Sequence, residues 1–81
     1  MDDAQLISRI GELVEEEHRL ERELSDQTTA DPATQKRVSE LEVALDQCWD
    51  LLRQRRARRS AGADPDSATV RDAGTVEGYR Q

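Results

Sequence analysis

In "EEEH", Glu15 and His18 stand three positions apart, the spacing at which a helix turns a carboxylate and an imidazole toward one metal ion, as in di-iron bundle proteins. Cys48 is the only cysteine, so no internal disulfide or cysteine zinc cluster can form, and its chemistry would be that of a free thiol. "RQRRARR" places Arg53, Arg55, Arg56, Arg58 and Arg59 in one run, a density of guanidinium groups suited to phosphate. Each feature has to be weighed against the helix that would carry it.

The first segment has Leu6, Ile10, Leu13, Glu17, Leu20 and Leu24 at alternating steps of four and three, which is heptad spacing. Ile10, Glu17 and Leu24 take the a positions, and Leu6, Leu13 and Leu20 take d. Asp2 followed by Gln5 is a capping-box pattern, so the spacing predicts a helix over residues 3–25. "SDQTTADPATQ" breaks the rhythm and predicts a loop over 26–31. Asp31-Pro32 then starts a second helix, the carboxylate capping free N–H groups while proline occupies the first turn, where its missing donor costs nothing. That helix, over 32–60, repeats the pattern at Val38, Leu41, Leu45, Cys48, Leu52 and Arg55. Gly62 suits its C-cap and Pro65 follows it, where a short helical turn can begin.

The expected fold is therefore all-α: an antiparallel two-helix hairpin over residues 1–61, followed by a polar, mostly irregular tail over 62–81. Placed at about 100° per residue, the apolar arcs of the two helices span about 140° and about 160°, wider than one mutual contact requires. A homodimer closing into a four-helix bundle, the chain's own tail, or another protein would cover the excess. Ile7, Val14, Trp49 and Leu51 border the arcs and are the candidate partner interface. Tyr79, in the closing "TVEGYRQ", is the candidate anchor of the tail, either packed back on the hairpin or taken up by another protein.

Against this frame most of the chemistry recedes. Glu15 and His18 fall at f and b, away from the leucine seam, so a solvated helix face explains them and no metal is expected. Cys48 sits at d, where a free cysteine acts as a small apolar residue, and Asp46 and Asp50 nearby are expected to raise its pKa. Glu17, at a, must reach water or a cation, or else serve as a register-specifying polar group. The arginines point in nearly every direction around their helix. They form a cationic end more than a stripe, which the helix dipole and the acidic first helix account for.

Charge follows the same division. Among 81 residues and a net charge of -6, Met1 to Asp26 carry nine acids and three bases, while Gln27 to Arg59 carry five acids and seven bases. Head-to-tail packing sets Asp2 and Asp3 beside Arg55, Arg56 and Arg59. With one Trp, one Tyr and no Phe, an aromatic core is excluded. No Gly-rich phosphate loop or nucleophile elbow occurs, so no enzyme, cofactor or small-molecule substrate is expected. The acidic start and lack of a long apolar run predict neither a signal peptide nor a membrane span, and cytoplasmic location is the expectation.

"LISRIGELVEEEHRLE", "LEVALDQCWDLLRQRRARRSAGADPD" and the closing "VEGY" resemble a family of short actinobacterial proteins of about this length, known as a domain of unknown function. The resemblance covers nearly the whole chain and is most specific in the second helix. It implies a small, cytoplasmic, helical protein and supplies no catalytic or binding residues. The function expected is protein–protein interaction, as a small regulatory or structural hairpin. The alternative is association with nucleic acid or a nucleoprotein through Arg53 to Arg59.

Overall fold

The computed structural model describes residues 1–26 and 31–78 of the chain. Two long helices, α1 (Asp3–Asp26) and α2 (Pro32–Ser60), pack against each other along the leucine seam, and a short helix α3 (Ala73–Gly78) follows. Both ends of the seam are set by local chemistry. The Asp2 carboxylate accepts the Gln5 N–H at 2.8 Å while Gln5 Oε1 accepts the Asp2 N–H at 2.9 Å, so two donors without helical partners are satisfied reciprocally. Asp31 accepts the Ala33 N–H at 3.0 Å, with Pro32 in the first turn of α2.

Helix α2 stops at a Schellman turn. Gly62 adopts φ +77°, the Ala63 N–H donates to the Arg58 carbonyl at 2.8 Å, and the Gly62 N–H donates to the Arg59 carbonyl at 3.1 Å. The aspartate cap then recurs twice. Asp64 accepts the Asp66 N–H at the single 3-10 turn Pro65–Ser67, and Asp72 accepts the Thr75 N–H at the start of α3.

The core is Leu6, Ile10 and Leu13 of α1 against Leu41, Leu45, Leu51 and Leu52 of α2, with Val14, Leu20, Ala44, Cys48 and Ala68 half-buried at its margin. All the buried apolar residues of α1 lie in its first half, so the hairpin is packed most densely at the end away from the interhelical loop. The tail closes that same end. Past Gly62 the chain doubles back along α2: the Gln54 amide donates to the Thr69 carbonyl at 2.9 Å, the Gln47 amide donates to the Arg71 carbonyl at 3.3 Å, and Val76 is buried. Helix α2 is thus sandwiched between α1 on one side and the tail on another, which lies over its polar stripe and beside Leu51. Among the described residues, no helix is long and apolar enough to cross a membrane.

Candidate interaction surface

The two flanks of the hairpin can be told apart from its ion pairs. In an antiparallel pair of heptad helices, g positions meet g positions along one side of the seam and e positions meet e positions along the other. Glu16 and Arg37, both at g, join across the helices through two hydrogen bonds of 2.8 and 3.1 Å. Ala44 and Leu51 continue that flank. There Leu6, Leu13, Cys48, Leu51, Ala68 and Val70 line a groove of about 440 Å³ between the hairpin and the returning tail. Leu51 is only 9% exposed. The expectation that it borders a free interface is therefore corrected: the tail packs over the g flank and takes Leu51 into the core.

The e flank is different. Ile7 and Trp49 are 52% and 44% exposed, and Val14 is half-buried against the core. Among the described residues, the tail's hydrogen bonds and ion pairs to α2 fall on Gln47, Asp50, Gln54 and Arg55, none of them an e position. Gly11, also on α1 and adjacent to this flank by its helical position, has open space around the place a Cβ would occupy. Three of the four candidate interface residues thus lie together on one flank, and the fourth lies on the opposite one.

Further along the e flank, toward the interhelical loop, Glu17, Glu21 and Glu42 bring carboxylate oxygens within 4.8 Å of one another. Partial burial raises the Glu17 pKa above the ordinary carboxylate value. Repulsion from Glu21, Glu42 and Asp46 adds to it, and only His18 opposes. Glu17 is half-buried at its a position, its head lodged among like charges. Glu15 and His18 are exposed on the outer face of α1, as their heptad positions require.

The five arginines do not form one patch. Arg55 is 5% exposed and lies inside the fold. Its Nε donates to Asp3 at 2.6 Å, and its Nη1 donates to Asp66 at 2.8 Å and to the Pro65 carbonyl at 3.3 Å. Arg59 donates to the other Asp3 oxygen at 2.9 Å. Together Arg55 and then Arg59 hold the Asp3 carboxyl below its usual range. Arg55 is thus corrected from a member of a basic surface to the clamp that joins the start of α1, the end of α2 and the 3-10 turn. Its d position turns it inward, and two carboxylates meet it there. Arg53 and Arg56 remain exposed, with no ion pair among the described residues, and Arg58 is half-buried.

Sequence reasoning did not identify Asp50 as a functional position. It is 1% exposed, yet it is met by both Nε (2.9 Å) and Nη2 of Arg71, and it also accepts from Gln54 at 2.9 Å. The Arg71 guanidinium, more than the Gln54 amide, holds the Asp50 carboxyl below its usual value against the opposing effect of burial. Gln47, Asp50 and Gln54 stand at i, i+3 and i+7, a polar stripe on the back of α2 whose spacing was the available signal. The Cys48 thiol is raised as expected, but burial is the cause, and Arg9 pulls the other way. The Asp50 charge is spent on Arg71. Tyr79, the candidate tail anchor, lies outside the described residues.

A family model with the description "Protein of unknown function (DUF2630)" matches residues 2–81. Uncharacterized proteins of Mycobacterium bovis and of Mycobacterium tuberculosis are each 46% identical to this chain over 77 residues, covering 95% of it and 88% of the relative. No solved structure matches.

Proposed function

Since the chain belongs to this DUF2630 family of short proteins of unknown function, we propose from its surfaces that it is a non-enzymatic interaction module, a helical hairpin that docks another protein chain through its e flank. The observation that carries the reading is that Ile7 and Trp49, two large apolar side chains at e positions of α1 and α2, are both about half exposed. A broad aromatic at the edge of a packed seam is the usual anchor of a protein interface, because it buries much area with few rotatable bonds. The remaining surface argues in the same direction. Among the described residues, the acids, thiol and imidazole are not arranged as nucleophile and base.

Nucleic-acid binding through the arginine end is the weaker reading, since Arg55 and Arg59 are committed to Asp3. The test is a photo-crosslinking amino acid placed at position 7 and, separately, at Glu23, an exposed g position on the opposite flank of α1. Expression in an actinobacterial cell is expected to give a discrete higher-mass adduct from position 7 and none from position 23. Equal yields from the two positions, or none from either, would sink the interaction reading.

A further inference from the structure

Along α2, Glu42, Trp49 and Arg56 occupy the same heptad position, one heptad apart, so they fall on one line of the e flank. At 1.5 Å per residue, the acid and the base each lie about 10 Å from the tryptophan, in opposite directions. All three side chains are exposed. The acidic end is reinforced by Glu17 and Glu21, whose carboxylates crowd Glu42, and none of the three has an ion-pair partner among the described residues. The basic end is reinforced by Arg53. Between the ends lies the apolar patch of Ile7, Val14 and Trp49. The flank therefore reads basic, apolar, acidic along its length.

A surface with that order is complementary to itself under a two-fold rotation whose axis crosses the helices near Trp49. The rotation lays tryptophan beside tryptophan and sets Arg56 of each chain against the carboxylates of the other. A two-fold axis parallel to the helices would instead oppose like charges. We propose that the occupant of the e flank is a second copy of this chain, docked antiparallel in this register to give a four-helix bundle. This rests on the interaction reading above and names its partner.

Gly11, at the b position next to the e flank, leaves room for the same geometry. A glycine in the middle of a helix is unfavourable relative to alanine, and among the described residues a Cβ there meets no atom within 4 Å. Close approach of a partner's α1 gives the missing side chain a use.

Sedimentation equilibrium on the purified full chain, with the fluorescence of its single tryptophan followed over the same dilution series, tests the proposal. A dimer is expected, with Trp49 emission moving to shorter wavelength as the chains associate. Reversing one charge, in E42R or in R56E, is expected to weaken the dimer at least tenfold while leaving helicity unchanged, since both side chains are exposed. An equimolar mixture of the two variants is expected to recover the dimer, because each reversed residue then meets its opposite. A monomer at all concentrations, or a dimer indifferent to both reversals, overturns the proposal. If the purified chain is monomeric while position 7 still crosslinks a different protein, this register fails and the broader interaction reading stands.

Discussion

Glu17 shows how one residue can be placed against its own preference. It takes a core position of α1, its charged form is disfavoured by partial burial, and Glu21 and His18 on α1 with Glu42 and Asp46 on α2 determine the field it meets. Because its folded pKa lies above the unfolded value, the folded chain holds the proton more tightly and loses stability as pH rises through that interval. Glu17→Gln removes the charge and its like-charge contact one turn away. In dilute solution it is expected to raise stability by about 0.5 kcal/mol at pH 7, by the usual size of such helical repulsions. The gain should vanish below about pH 4, where the unfolded carboxyl is also protonated. Thermal melts of both chains at pH 7 and pH 3 check this, and an equal gain at both values would show that charge is not the cause.

At the scale of elements, every helix start that is described uses the same device, an aspartate whose carboxylate accepts a backbone N–H: Asp2, Asp31, Asp64 and Asp72 in turn. The repeated "ADP" was readable because proline at the first helical position and a carboxylate just before it are a local signal that needs no tertiary contact. The stop at Gly62 is equally local. Its φ of +77° lies in the left-handed region, where a Cβ collides with the backbone, although no other atom crowds the site. Gly62→Ala is therefore expected to cost about 1–2 kcal/mol in chemical denaturation. The tail should also become easier to cleave by protease, because this turn aims it back along α2. Unchanged stability would mean that the turn does not constrain the tail.

For the whole molecule, the pair of buried Asp50 with partly exposed Arg71 is one of the contacts that tie the tail to α2. Removing one partner leaves the other charge uncompensated, an effect of about 3–5 kcal/mol for fully buried pairs. Arg71 keeps about a third of its side chain in water, so Arg71→Met is expected to cost less, about 2–3 kcal/mol at pH 7. The sign of the pH dependence is opposite to that of Glu17. The folded pKa of Asp50 is lowered, so its contribution is present above the unfolded value of 3.8 and lost as pH falls through the folded one. The penalty of Arg71→Met should shrink in that acidic window. Urea titrations at pH 7 and pH 2.5 measure it, and a penalty independent of pH would assign the loss to packing alone.

The sequence by itself determined the elements and their pairing. Heptad spacing, caps and breakers act within a few residues, so both long helices, the antiparallel seam and the meeting of Asp3 with Arg55 and Arg59 were legible from Leu6, Leu13, Asp31 and Gly62. It did not determine which surplus apolar surface stays open. Leu51 and Trp49 look alike in the pattern, each bordering the same stripe, and only the path of the tail distinguishes them. That path is fixed by contacts between residues far apart in the chain, Arg71 with Asp50 and Asp66 with Arg55, whose pairing follows from where the backbone brings them and not from their spacing. Tertiary structure thus buried Leu51 and Arg55 and left Ile7 and Trp49 about half in water.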